Sequence, residues 1–268
     1  LTKDNLSITA RVQEETAGSE YHAFNYKGVH QQNLTINYKK NSWGFAAGGT
    51  HNDFGGFGGD TYGRDKDWLP KEQWMGNTKI SYAKGPLNVY YRIDGLNEDI
   101  NSRGEINYRN NKAIDQQYIT DRFTHQLQGA YTFSSRLQIA TILGYTDYKR
   151  KTRTTVHDFE KDTDELTAGE GEQDLSKFNS LVFRTTLQYK LSNKISLQPG
   201  IDINREAASG ERILANPVIT DYAAFISAEI TPTSKISIRP GLRFIKNSVY
   251  DAPPVIPSIN TKFVLSKQ

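Results

Sequence analysis

The sequence predicts an all-β chain, an antiparallel up-and-down β-barrel that crosses a membrane with its strands. Three observations lead there. Apolar and polar residues alternate with period two through segment after segment, the mark of strands with one apolar face. Short polar turns alternate with long polar segments, as in barrels with tight hairpins at one end and loops at the other. An aromatic residue stands beside most short turns on the apolar face, which puts these rings at one depth of a bilayer. Composition agrees, with 15 Tyr and 12 Phe against 1 Met, because aromatic side chains suit a pleated surface.

Taken in order, the alternation shows as follows. Leu87, Val89, Tyr91 and Ile93 oppose Asn88, Tyr90, Arg92 and Asp94. Leu127, Gly129, Tyr131 and Phe133 lead into Leu137, Ile139, Thr141, Leu143 and Tyr145. Phe183, Thr185, Leu187, Tyr189 and Leu191 precede Ile195, Leu197, Pro199, Ile201 and Ile203. Ala224, Ile226, Ala228 and Ile230 precede Ile236, Ile238, Pro240, Leu242 and Phe244. Short turns are expected at 39–42, 83–86, 134–136, 192–194 and 231–234, and a sixth at Ser266–Gln268. Long loops are expected near 53–73, 97–121, 152–179 and 205–220, giving about twelve strands in all. The girdle aromatics are Tyr38, Trp43, Tyr82, Phe133, Tyr189 and Phe263. The inward residues expected to line a lumen are Arg92, Asp94, Gln138, Gln198, Asp202, Arg239 and Arg243.

One stretch is written twice: SNKISLQPGIDI at 192–203 and TSKISIRPGLRF at 233–244. Both read as strands launched outward from a short turn, so equal positions meet equal depths. Pro199 and Pro240 carry no amide hydrogen, and each predicts an interrupted rung, with the neighbouring strand shifted to compensate.

The bulk numbers narrow the function classes. Net charge is +3 on 33 basic and 30 acidic residues, no argument for a nucleic-acid partner. With 0 Cys there is no disulfide framework and no thiol nucleophile. Mean hydropathy is -0.65, and no run approaches the ~18 apolar residues of a membrane helix. The chain opens at Leu1, and the reading expects further sequence upstream.

Several stretches resemble the barrel of TonB-dependent outer-membrane receptors, of the kind common in Bacteroidota. NLTINYKKNSWGFAAGGTHNDFGGFGGD (33–60) is similar to the second and third barrel strands of that family. THQLQGAYTFSSRLQIATILGYTDYKR (124–150) and FRTTLQYKLSNKISLQPGIDIN (183–204) resemble its middle hairpins. IRPGLRFIKNSVYDAPPVIPSINTKFVLSKQ (238–268) resembles a run from a PGLR strand into PSxNxKYxLS. The resemblance implies a barrel of about twenty-two strands filled by an N-terminal plug. Residues 1–268 would be about its first half, with the plug outside this chain. It implies partners as well: outer-membrane lipid and lipopolysaccharide, the plug and the remaining strands, the TonB complex acting through the plug, and compatibility with a surface lipoprotein. The expected location is the outer membrane of a Gram-negative bacterium. The expected activity is uptake of a scarce nutrient such as siderophore-bound iron, haem or cobalamin. A barrel for adhesion or assembly without transport, and a soluble all-β binding domain, are the alternatives.

Individual motifs add less. The 5 His show no metal-ligand spacing, so no metal site and no cofactor is expected. DFGGFGGD (53–60) lacks the strand, helix and Lys-Ser/Thr of a phosphate loop. It reads as a loop tip, and Phe54, Phe57, Tyr62 and Trp68 around it are the expected ligand contacts. HDFEKDTDELTAGEGEQD (157–174) reads as a solvated exterior loop, without the sharp-turn Gly of an EF-hand. Lys149, Arg150, Lys151 and Arg153 before it would mark the outer rim, where lipopolysaccharide phosphates lie. Ser, His and Asp are scattered without a nucleophile motif, and no enzyme is expected.

Overall fold

The computed structural model describes residues 5–15, 28–59 and 64–265. Among them every regular element is a strand: β1 (Asn5–Glu15), β2 (Val29–Lys40), β3 (Trp43–Phe54), β4 (Lys71–Lys84), β5 (Leu87–Arg103), β6 (Lys112–Ser134), β7 (Leu137–Asp158), β8 (Thr163–Leu166), β9 (Leu175–Lys190), β10 (Ile195–Ser209), β11 (Val218–Thr233), β12 (Ile236–Asn247) and β13 (Val255–Phe263). They form one sheet in sequence order, each strand antiparallel to the next, with the short β8 set beside β7. His22, Tyr62 and the turn expected at Ser266–Gln268 lie outside the described residues.

The register sorts side chains onto two faces. On one, Tyr38, Phe45, Ile80 and Tyr91 stand opposite one another across β2 to β5. Leu127, Leu143, Phe183 and Ile203 continue that face across β6 to β10. Ile226 and Leu242 extend it across β11 and β12. The other face carries Lys79, Arg92, Gln126 and Gly144, then Arg184, Asp202 and Ala223. Among the described residues only two apolar side chains, Ala113 and Ala223, are buried. Ile201 and Leu242 are 49% and 44% exposed, so no second layer of described residues covers the apolar face. A sheet that leaves its apolar face bare in water would aggregate; in a bilayer that face is solvated.

The apolar face has a measurable height. Trp43 and Tyr82 pack at 4.8 Å beside the short turns, and Tyr131 meets Phe133 edge-on at 4.8 Å. A second aromatic level follows up the strands, with Trp74, Phe123, Tyr145 and Phe244 on the same face. About eight to ten residues separate the levels, which at ~3.3 Å per residue and ~40° tilt span roughly 20–25 Å. That is the height of an outer-membrane apolar band. Within it, Thr141 and Thr185 bond each other's hydroxyls at 3.0 Å, satisfying groups that lipid cannot.

The strands run on beyond the second level. β6 spans 23 residues and β7 spans 22, so much of the segments expected as loops at 97–121 and 152–179 is ladder. Their residues stay paired through Lys112↔Asp158. Hydropathy alternation fades where both faces are wet, which is why the sequence reads as loop there although the β-branched Thr152, Thr154, Thr155 and Val156 are still strand-like.

The two prolines behave as half expected. Between β9 and β10 the pairing runs Leu197↔Tyr189, then resumes at Gly200↔Thr186, leaving Pro199 without a rung on that side. Between β11 and β12 it skips from Ser227↔Gly241 to Ile230↔Ile238, past Pro240. Register is the same on both sides of each gap, so the expected compensating shift is absent there. The shift lies at Ile230/Thr233, next to the turn. Each proline still pairs on its other side, with Ile226 and Ile259. One missing donor therefore costs one interruption and leaves the neighbouring strands in place.

The glycine after Pro199 has its own reason. A Cβ at Gly200 would stand 2.3 Å from Phe225 Cζ and 2.6 Å from the Thr185 carbonyl oxygen. The ring can move but the backbone oxygen cannot. Gly200→Ala is expected to destabilise the folded protein by about 1–3 kcal/mol, read as a lower midpoint of thermal unfolding in detergent. An unchanged midpoint would mean that β9 and β10 are not packed this tightly.

Candidate functional site

The polar face is the candidate site. Register brings all seven residues expected to be inward, Arg92, Asp94, Gln138, Gln198, Asp202, Arg239 and Arg243, onto it. The six girdle residues fall on the other face, Phe133 at the irregular rung before its turn. Residues of β5, β10 and β12 share the polar face because the side-chain period of a strand is two and every hairpin preserves it.

Charges on the polar face are held in fixed pairs. Arg184 and Arg243 each donate an Nη2 hydrogen bond to the same oxygen, Asp202 Oδ2, at 2.6 and 3.0 Å. Asp202 is buried under them. Arg92 donates twice to Asp94 Oδ1. Arg239 meets Glu229 Oε2 at 3.0 Å. Amides and hydroxyls fill in between, as where Tyr90 Oη donates to Gln128 Oε1 at 2.8 Å. Lys79 rests its ammonium 4.2 Å from the centre of the Tyr90 ring. Such a wall stays wet and shaped, because Arg92, Arg184, Arg239 and Arg243 are each anchored at the tip.

A hollow of about 660 Å³ opens on this face between β9 and β13, lined among others by Arg184, Asp202, Glu206, Asp221 and Arg243 and bordered by Tyr250. Asn247 pins that border: its Oδ1 accepts from the Val249 and Tyr250 amides, and its Nδ2 donates to Asp221 Oδ1 at 2.6 Å.

The loop aromatics are brought together only in part. Phe57 and Trp68 exchange backbone hydrogen bonds at 3.0 and 2.9 Å, closing a small hairpin. Gly56, Gly58 and Gly59 turn it with positive φ values of 85, 75 and 73°. Phe54 ends β3, paired with Val29 and Lys71. The return arm leans away from the polar face. Arg64 donates to Asp115 Oδ2 at 2.5 Å and lies 4.8 Å from the Phe159 ring centre, and Asp115 has the parity of the apolar-face residues.

Two arginines that sequence reading missed, or placed on the rim, stand on the polar face above the second aromatic level. Arg122 is opposite Tyr148, and Arg150 is opposite Thr120. Arg150 therefore leaves the basic group to which its sequence position assigned it. Lys149, Lys151 and Arg153 have the opposite parity, with Lys149 facing Asp121 and Lys177 across the sheet. The signal was available: alternation through Tyr118, Thr120 and Arg122, and through Tyr148, Arg150 and Thr152, continues the strand period with polar residues on both faces.

Above these residues the acidic segment forms a clasp. Asp174 is buried and accepts from Ser176 Oγ at 2.5 Å and from the Glu211 amide at 2.7 Å. The Gly171 amide donates to Glu211 Oε2 at 3.0 Å, tying residues 163–174 to the turn at 210–213. The Asp174 carboxyl is held below the usual carboxylate range, first by the Ser176 hydroxyl, against opposing burial, then by the Glu211 and Leu175 amides and Arg212. A depressed pKa stabilises the folded state above the ordinary value near ~4, and the contribution is lost as pH falls through the lowered value. Hydrogen-exchange protection of the clasp, corrected for intrinsic rates, is thus expected to stay level from about pH 8 to 5 and to weaken only below ~4. Asp174→Asn should loosen both segments across pH 5 to 8, where the carboxylate is charged; equal protection in the variant there would show that this carboxylate does not hold them. Among the described residues no group of three or more His, Asp or Glu is placed to hold a metal ion.

No protein-family model matches the sequence, and no curated protein matches it. Solved structures do. The siderophore receptor PirA from Pseudomonas aeruginosa superposes with a TM-score of 0.71 at 14% identity, over 100% of this chain and 42% of that one. The copper transporter OprC gives 0.60 at 13% identity, over 96% and 42%. The siderophore receptor PiuA from Acinetobacter baumannii gives 0.57 at 9% identity, over 97% and 46%. These likenesses establish the fold, part of a large up-and-down β-barrel, and the chain spans less than half the length of the structures it matches. The named organisms are not Bacteroidota, and the expected origin finds no support in them. All three structures are titled receptors or transporters, none an enzyme.

Proposed function

We propose that this chain is part of the barrel of a TonB-dependent outer-membrane receptor that imports a scarce nutrient into a Gram-negative cell. One observation carries the reading: a single sheet, bare and apolar on one side, lined on the other by anchored ion pairs and amides. A plug domain would fill the wet side, and further strands would complete the wall next to β1 and β13. The TonB complex would act through the plug. Siderophore-bound iron, haem and cobalamin are the solutes of this reading; the receptors and the transporter it resembles are titled for siderophores and copper. Phe54, Phe57, Tyr62 and Trp68 are offered as loop contacts to the solute. Lys149, Lys151 and Arg153, facing lipid above the girdle, would meet lipopolysaccharide phosphates, and a surface lipoprotein is compatible with the arrangement. The test is growth of a deletion strain on defined iron and vitamin sources, with and without a functional TonB. Loss of growth on one source, restored by the full-length gene only when TonB is present, supports the proposal. Normal growth on all sources with lost surface attachment would favour an adhesion barrel instead.

A further inference from the structure

Resting on the reading above, we infer that the polar face carries a subsite for an anionic solute bearing flat conjugated rings, built from Arg122, Arg150, Tyr118, Tyr148 and Phe178. All five share the face by register: Tyr118↔Thr152, Thr120↔Arg150, Arg122↔Tyr148 and Tyr148↔Phe178. Arg150 is the diagonal neighbour of both Tyr118 and Arg122, a separation of roughly 7–8 Å between such positions. The group lies beyond Phe123 and Tyr145 of the second aromatic level, outside the apolar band and open to incoming solute.

Two features separate these arginines from four others on the wall. Arg92, Arg184, Arg239 and Arg243 each end on a carboxylate. Arg122 and Arg150 form no ion pair with any described residue; Arg150 lies 4.7 Å from the centre of the Tyr118 ring. Glu98, diagonal to Arg122 on the neighbouring β5, accepts from Gln73 Nε2 at 2.5 Å and is within ion-pair distance of neither guanidinium. The rings are the second feature. Tyr148 and Phe178 meet edge-on at 5.7 Å, and Phe178 is 45% exposed on the face that also carries the arginines. A bare phenyl ring beside two uncompensated guanidiniums has a use if a ligand covers it. Guanidinium forks match planar oxyanions and stack on rings, and exposed rings stack on conjugated ligands. A cation or an uncharged saccharide would leave both guanidiniums unanswered.

The probe is 1,5-naphthalenedisulfonate, titrated calorimetrically into the full-length receptor in detergent. Sulfate serves as charge without rings, and naphthalenemethanol as rings without charge. The inference predicts that the disulfonate binds at least ten-fold tighter than either control. It predicts a ten-fold or greater loss in Arg122→Ala/Arg150→Ala, partial recovery in the double lysine variant, and a several-fold loss in Phe178→Ala. Unchanged thermal midpoints show that the variants are folded. Undetectable binding, binding equal to that of sulfate, or equal binding to the double alanine variant overturns the inference. The outcome is separable from the transport proposal. Binding as predicted with no TonB-dependent uptake would leave the subsite standing and remove the transporter. TonB-dependent uptake with disulfonate binding untouched by the variants would do the reverse.

Discussion

Ile201→Arg is expected to lower the stability of the folded protein in a bilayer by about 2–4 kcal/mol. Ile201 lies near the middle of the apolar height, opposite Thr185 on β9 and Ala224 on β11. Its side chain is 49% exposed, and on this account the exposure is to acyl chains. A guanidinium there must snorkel or thin the bilayer. Gln126→Arg on β6, whose residue shares the polar face with Arg92, should change stability by less than about 0.5 kcal/mol. Urea unfolding of the full-length protein in vesicles compares the two. A similar penalty for both positions, or none for Ile201→Arg, would mean that the faces have been assigned wrongly.

Asp202→Ala is the second large effect. It removes the only carboxylate among the described residues that Arg184 and Arg243 touch within ion-pair distance. Two guanidiniums from β9 and β12, on either side of β10 and β11, would then lose their shared counter-charge. Removing one partner of a fully buried pair costs about 3–5 kcal/mol. Here the arginine side chains are 52% and 38% exposed, so water screens them and about 1–3 kcal/mol is expected. The cost should shrink when Arg243→Ala is combined with it, because the repulsion is then gone. Additivity of the two substitutions would show that the three groups do not act together.

Most of the fold was legible because one physical constraint wrote it. A strand with lipid on one side and water on the other must alternate, and Leu137–Tyr145 alternates. Where the constraint ends, so does the legibility. Lys112–Phe123 and Tyr148–Asp158 are wet on both sides, and their ladder is visible only through Thr, Val and Tyr propensity, a weaker signal. The proline gaps were legible as lost donors, since that follows from covalent structure. Their unshifted register was not, because it depends on how far the adjoining strand yields. For the candidate site, the parity of Arg92, Asp202 and Arg243 could be read directly. The partners could not: Arg184 reaches Asp202 across an interstrand register that the sequence does not state, and Arg150 changed faces once the period was carried past Tyr145.

The chain has 0 Cys, so single cysteines can be placed at each residue from Leu137 to Tyr145 in the full-length protein and spin-labelled in vesicles. Accessibility to oxygen, which partitions into lipid, and to a water-soluble nickel chelate is then measured at each site. The account predicts opposite oscillations with a period of two, oxygen highest at 137, 139, 141, 143 and 145, nickel highest at 138, 140, 142 and 144. Low accessibility to both reagents at the odd positions, as in a dry protein interior, would contradict it.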